Sequence, residues 1–251
     1  MVRGRDIFRD YFKDYTDKYI LIGGTACDLS MASMGLNFRA TKDLDIVLIL
    51  EALDVKFVNA FWSFIKVGQY KNRQKSTGKK LFYRFYDPEK EAFPYMIELF
   101  SRKPDVFELP LESHLTPIPI DETVSSLSAI LMDSDYYNFI KNGKKITDDL
   151  SILSQECLIP LKSRAWLDLC KLKSSGETID NKDIKKHKND VFRLYQVLSL
   201  NTDILLPQSI ADDMRMFLEK VSDEPPNLKS LGILNTSLED VIGNLKKIYK
   251  L

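Results

Sequence analysis

The chain has 251 residues, and its 36 basic and 36 acidic side chains give a formal net charge of zero. This balance argues against broad nonspecific nucleic-acid binding, although it leaves room for a local basic groove. No apolar run approaches the roughly 18 residues of a membrane span, and the charged first residues do not resemble a signal peptide. The chain has three cysteines, an odd number without the spacing of metal ligands, and this favours reduced thiols. We therefore expect a cytoplasmic protein with no membrane partner.

The first part of the chain mixes strand and helix patterns. Apolar residues at helical spacing alternate with short apolar or aromatic runs that are typical of strands. In chain order, the patterns predict a helix over 5–17, a strand over 19–22, a helix over 23–34, a strand over 44–50, a helix over 53–66, and strands over 81–87 and 95–100.

Helical patterns dominate from residue 121, after a proline-rich extended segment over 109–120. Thr236 followed by Glu239 fits a capping box at the start of the last helix. The sequence therefore predicts an α+β protein, with a mixed sheet and flanking helices over 1–120 and a mainly helical domain over 121–251. The predicted helices cover 122–132, 159–174, 180–200, 207–221 and 236–250.

A glycine-rich turn follows the first predicted strand. Gly23, Gly24 and Thr25 stand where that strand passes into a helix. Glycines let a backbone approach a phosphate closely, and the start of a helix offers free N–H groups to an anion. The turn is a candidate phosphate site to which Thr25 adds a hydroxyl, although such a turn is also common for purely structural reasons.

Two acids occupy alternate positions of the second predicted strand. Asp43 and Asp45 therefore point to the same face, while Leu44 and Ile46 face the core. Two carboxylates on one face repel unless a cation lies between them, and oxygen ligands suit a hard divalent ion. The alternative is a solvated loop that happens to carry two acids.

Glu98 is a single acid in an otherwise apolar strand, and it is a candidate third carboxylate for a two-metal site. Asp87 and Glu91 are rivals, but both fall in a predicted turn. The structural alternative is a salt bridge from Glu98 to Arg84 or Arg102.

Basic residues form a second set of candidates. Arg39 precedes the acids and could hold a phosphate or position the strand. The basic loop over 71–80 either guides a triphosphate or an RNA end, or is a solvated turn. Lys162 lies near the start of an apolar helix. Asp190 and Arg193 have the spacing of a helical ion pair, which as a surface pair needs no function.

These motifs together resemble the minimal nucleotidyltransferases of the DNA polymerase β superfamily, and among them the abortive-infection toxins called AbiEii. The likeness is carried by Ile22-Gly23-Gly24-Thr25-Ala26 and by Arg39-Ala40-Thr41-Lys42-Asp43-Leu44-Asp45-Ile46, within residues 19–49. The resemblance implies a nucleotidyltransferase-like fold. It also implies roles for the individual residues: nucleotide binding for Gly23, Gly24, Thr25 and Arg39, and metal binding with catalysis for Asp43, Asp45 and Glu98.

The same resemblance extends to the helical half. Lys162 resembles the family's catalytic lysine, and Asp190 resembles a later aspartate that contributes to nucleotide binding. The family usually has an Arg/Lys-Asp pair there, whereas this chain has Lys188-Asn189-Asp190. The spacing therefore departs slightly from the family's pattern.

The implied activity is transfer of a nucleoside monophosphate from a nucleoside triphosphate to an acceptor hydroxyl, with Mg²⁺ or Mn²⁺ as cofactor. The expected acceptor is RNA, such as a tRNA end, or a protein, and a toxin of this type would have an antitoxin partner. Two alternatives stay open. One is a nucleotidyltransferase that modifies a small molecule such as an antibiotic, and the other is a non-catalytic protein that binds a nucleotide or a partner.

Overall fold

The computed structural model describes residues 2–71, 82–100 and 130–251. These residues form two compact units. The predicted 71–80 loop (apart from its first residue), the proline-rich segment, nearly all of the 122–132 helix and the proposed domain boundary at 120 lie outside the described residues. In the described chain, the first unit contains residues 2–29, 37–71, 82–100 and 144–153, and the second contains 30–36, 130–143 and 154–251.

A mixed six-stranded sheet forms the centre of the first unit. Its strand order is β3-β4-β2-β1-β6-β5. The β2–β4 and β1–β6 pairs are parallel, and the other three pairs are antiparallel. The strands are β1 Tyr19–Ile22, β2 Asp43–Leu48, β3 Phe82–Tyr86, β4 Met96–Phe100, β5 Lys144–Thr147 and β6 Leu150–Leu153.

Aromatic side chains hold the helices of this unit against β1. Phe12 is fully buried and contacts Tyr19 of β1 as well as Phe57 and Phe64 of the third helix, with ring centroids 5.3–6.2 Å apart. Such rings bury large apolar areas, so this cluster supplies much of the unit's core. The helices are α1 Arg5–Phe12, α2 Gly23–Ala32, whose last residues are assigned to the second unit, and α3 Val55–Gly68.

The second unit is helical in its described part, with α4 Ser134–Asn142, α5 Gln155–Ser174, α6 Asn181–Tyr195, α7 Gln208–Asp223 and α8 Leu238–Ile248. These helices and the mixed sheet confirm the predicted α+β class. None of the helices in the described ranges is long and apolar enough to cross a membrane.

The capping box of α8 differs from the prediction by one residue. Ser237 and Asp240 form it, with the Asp240 N–H donating to Ser237 Oγ over 3.0 Å. The prediction of Thr236 with Glu239 was wrong. Both pairs have the required spacing, and the sequence does not show which residue is the last with an extended backbone.

The hairpin of β5 and β6 was not predicted. Asp148 and Asp149 connect its strands, and both have a left-handed backbone, with φ of 53° and 55°. This two-residue turn usually carries glycine or asparagine, and two consecutive aspartates gave no clear signal. The hairpin belongs to the first unit, where β6 pairs with β1.

We predict that Asp149→Gly increases the free energy of unfolding by on the order of 0.5–1 kcal/mol, because glycine adopts a positive φ without the steric cost of a Cβ. Urea unfolding followed by circular dichroism measures this change. Asp10→Gly, in α1, is the control and should lower stability slightly, since glycine is a poor helix former. A loss of stability in Asp149→Gly would contradict the turn assignment.

Candidate active site

The β1 strand passes directly into α2 through two glycines that other side chains approach closely. Gly23 has φ +62°, and a Cβ at this position would lie 1.7 Å from Asp45 Oδ2. A Cβ on Gly24 would lie 2.5 Å from Thr41 Oγ1. The glycines are therefore required because the carboxylate of Asp45 and the hydroxyl of Thr41 pack against the backbone at the start of α2.

Thr25 joins α2 to β2. Its side chain is fully buried, and its hydroxyl donates a 2.9 Å hydrogen bond to the main-chain carbonyl of Asp43. In this structure the hydroxyl positions the strand that carries both aspartates. The predicted role in phosphate binding is not tested by this contact.

Sheet register aligns four residues of the site. Ile22 of β1 is opposite Asp45 of β2, Asp45 is opposite Glu98 of β4, and Glu98 is opposite Arg84 of β3. Side chains of directly paired residues project from the same face of a sheet, so the two carboxylates and the guanidinium form one row. Asp43, two residues before Asp45, is on this face.

Glu98 lies between an acid and a base. Its side chain is 13% exposed, and its Oε1 is 2.7 Å from Nε and 2.5 Å from Nη2 of Arg84. Burial, the charge of Asp45 and a hydrogen bond with Asp45 all raise the pKa of Glu98, and Arg84 opposes the increase. The net result is a pKa of about 8. Without a cation, this carboxyl therefore tends to hold a proton.

The predicted alternatives for Glu98 were a third acid of a metal site and a salt bridge to Arg84. The structure shows the salt bridge, and the role as third acid stays a prediction. Glu98 is ion-paired with Arg84 and also contacts Asp45. Arg84 therefore neutralises part of the negative charge of Glu98.

The carboxylates fit a divalent cation that takes its other ligands from water and from the phosphates of a bound substrate. No group of three His, Cys, Asp or Glu side chains in the described ranges is arranged as a metal site. Mg²⁺ usually binds one or two carboxylates and takes its other ligands from water and substrate phosphates. The adjacent carboxylates of Asp45 and Glu98, with Asp43 on the same face, match that requirement, and Mn²⁺ prefers the same oxygen ligands.

Arg39 lies in the segment that precedes β2. Its guanidinium stacks over the Phe38 ring at 5.0 Å, and the side chain is half-buried. Thr41, which packs on Gly24, is two residues further along the chain. Thr41 was part of the family pattern in the sequence, but no role was predicted for it. Its contact with Gly24 shows that it packs at the start of α2.

Lys162 and Asp190 contact each other in the second unit. Lys162 Nζ in α5 is 3.3 Å from Asp190 Oδ2 in α6, and Asp190 Oδ1 is 3.2 Å from Arg193. Lys162 is 5% exposed and Asp190 is fully buried. The interpretation of Asp190 and Arg193 as a surface pair was wrong, because α5 and α6 pack together and cover the aspartate.

We predict that Gly23→Ala lowers the free energy of unfolding by about 2–5 kcal/mol, since it combines backbone strain with a clash against Asp45. Gly35→Ala is the matched control. Gly35 also has a positive φ, of +72°, but nothing lies within 4 Å of its Cβ position. Urea unfolding of both variants separates strain from the clash, and equal losses would contradict the close approach of Asp45.

We also predict that stability decreases as the pH rises from about 4.5 to about 8. Glu98 binds a proton more tightly in the folded than in the unfolded state, so its contribution is complete below the unfolded pKa and is lost as the pH approaches 8. Glu98→Gln should remove this part of the pH dependence. Unfolding measured at several pH values, with the same slope in both proteins, would show that Glu98 titrates normally.

No family model matches the chain, and no curated protein matches it. Its structure is similar to an antigenic nucleotidyltransferase-like protein from Paracoccidioides brasiliensis, with 13% identity, a TM-score of 0.43 and 94% of each chain covered. It is also similar to JHP933 from Helicobacter pylori, with 15% identity, a TM-score of 0.36, and 98% of this chain and 90% of that chain covered. At these scores neither likeness establishes a function for this chain.

Proposed function

We propose that the protein is a Mg²⁺-dependent nucleotidyltransferase, which moves a nucleoside monophosphate from a nucleoside triphosphate to an acceptor hydroxyl. One observation carries the proposal. The carboxylates of Asp45 and Glu98 lie side by side on adjacent strands, and Asp45 packs against Gly23 at the first turn of α2.

A nucleotide with a divalent cation satisfies both parts of this arrangement. The first turn of α2 offers N–H groups that attract an anion. The neighbouring carboxylates would repel the same anion unless a cation lay between them. A triphosphate bound with Mg²⁺ brings the negative and the positive charge together, which no simple anion or isolated cation does.

Asp43, Asp45 and Glu98 would hold the ion. When bound, Mg²⁺ would neutralise phosphate charge and lower the pKa of an attacking hydroxyl. Gly23 and Gly24 would allow the backbone to approach the phosphates. Arg84 fixes the orientation of Glu98 through two contacts to Oε1.

In this proposal Glu98 acts as the general base in its ionised form, which the bound cation would favour. In the proposed reaction the acceptor oxygen forms a bond with the α-phosphorus, and the bond to the bridging oxygen of the β-phosphate breaks. Pyrophosphate leaves with that electron pair. The hydroxyl proton passes to the carboxylate of Glu98.

The remaining predicted residues have supporting roles in this proposal. Arg39 would contact a phosphate, and Lys162 would neutralise phosphate charge. The buried ion pair with Asp190 would hold the ammonium of Lys162 in one position. By its resemblance to the AbiEii toxins, the protein would act in the cytoplasm on RNA, such as a tRNA end, and would be controlled by an antitoxin.

The proposal predicts that Asp43→Asn and Asp45→Asn each reduce turnover at least about 100-fold, because each removes a metal-binding carboxylate. The purified protein is incubated with Mg²⁺, each labelled nucleoside triphosphate and total tRNA, and label transfer is measured. Asp10→Asn, whose side chain is 68% exposed on α1, is the charge-matched control and should keep full activity.

Circular dichroism should show that the aspartate variants remain folded. Wild-type transfer in Asp45→Asn would overturn the metal-site assignment. If the protein binds Mg²⁺ with a nucleotide tightly but labels no RNA, the acceptor is a protein or a small molecule. If it binds no nucleotide, the proposed function is wrong.

A further inference from the structure

The second unit contains a groove that the proposed reaction does not use. It has a volume of about 800 Å³ and lies between the end of α5, the first half of α6 and the segment over 224–230. Most of its lining side chains are exposed, so the groove is open to solvent. All of these elements belong to the second unit.

Positive charge dominates this groove. The described residues that line it include three lysines, Lys173, Lys185 and Lys188, and one acid, Glu224. The lining therefore carries two more basic than acidic side chains. It gives the groove a positive potential that attracts anions.

Lys188 is fixed within the groove. It is only 9% exposed, and its ammonium lies 5.8 Å from the centre of the Trp166 ring. In the described chain both of its hydrogen bonds go to Glu224, to the main-chain oxygen at 2.7 Å and to a carboxylate oxygen at 3.4 Å. The Glu224 side chain is 72% exposed and its contact is long, so an anion could replace it.

The uncharged lining suits a phosphate ester that carries sugars and bases. Asn181, Asn189 and Asn227 line the groove, and each amide both donates and accepts hydrogen bonds. Lys173 donates a hydrogen bond to the side-chain oxygen of Asn181. This contact places a cation and an amide next to each other at the edge of the groove.

The openness of the groove favours a strand over a free nucleotide. Small ligands usually bind where most of their surface is buried, whereas a polyanion can lie along an exposed row of lysines. We propose that this groove binds the phosphate backbone of an RNA strand.

Binding of a fluorescein-labelled 12-nucleotide RNA, measured by anisotropy without any nucleoside triphosphate, tests the groove independently of catalysis. The double variant Lys173→Gln/Lys185→Gln should weaken binding about tenfold and reduce the slope of log Kd against log salt by about 2. Lys188 is left intact because it is buried. The control is Lys246→Gln/Lys247→Gln on α8, which changes the net charge equally and should weaken binding less than about twofold.

Equal weakening by the two double variants would overturn the groove assignment, as would no RNA binding by the wild-type chain. AMP and a DNA 12-mer distinguish the source of the phosphate. If the groove variant loses AMP binding but keeps RNA binding, the ligand is a free nucleotide and the proposal fails.

The two proposals fail separately. Asp45→Asn should bind the RNA normally while losing transfer. If no transfer occurs but the groove variant still weakens RNA binding selectively, only the proposed function fails. If transfer occurs and the groove variant changes neither RNA binding nor transfer, only the groove proposal fails.

Discussion

The electrostatic repulsion between Asp45 and Glu98 is the constraint on which this account depends. Asp45 and Glu98 are paired in register on parallel strands, so the sheet holds their side chains next to each other. Arg84 compensates part of the charge from the other side of Glu98. Burial, together with the charge of Asp45, raises the pKa of Glu98 to about 8. In the proposed function, a cation between the two carboxylates would remove the cost of their repulsion.

The surrounding fold fixes the position of this pair in detail. Gly23 allows the Asp45 carboxylate to contact the backbone at the start of α2, and the Thr25 hydroxyl binds the carbonyl of Asp43. The aromatic cluster around Phe12 holds α1 and α3 against β1. The acids, the start of α2 and the sheet therefore pack directly against one another. A larger side chain at Gly23 or Gly24 would displace the residues that surround the carboxylates.

The sequence predicted the elements that carry the site because their signals are local. The apolar run of β1, the two glycines after it and the alternation of Asp43 with Asp45 all lie within a short segment. For Glu98, the sequence predicted only that a later strand would bring a third acid to the site. It did not predict that Glu98 lies next to Asp45. The partner strand and register of Glu98 depend on sheet order, which the sequence pattern did not give.

Contacts between distant residues account for what was missed. Asp190 seemed to belong to a surface pair, because its spacing to Arg193 is visible in the sequence whereas its contact with Lys162 requires α5 to pack on α6. The β5–β6 hairpin is short, and only β6 is fully buried. Its pairing with β1 joins chain segments far apart in sequence, which no local pattern indicates.

The charge on Glu98 tests the central claim most directly. The carboxyl carbon of Glu98 is titrated by nuclear magnetic resonance, first in the protein alone and then with Mg²⁺ and a non-hydrolysable nucleoside triphosphate. This account predicts a pKa well above the ordinary value for glutamate in the protein alone, and a marked decrease when the ion and nucleotide bind. An ordinary pKa in the protein alone, or a raised one that Mg²⁺ and nucleotide leave unchanged, would contradict the assignment of Asp45 and Glu98 as a cation site.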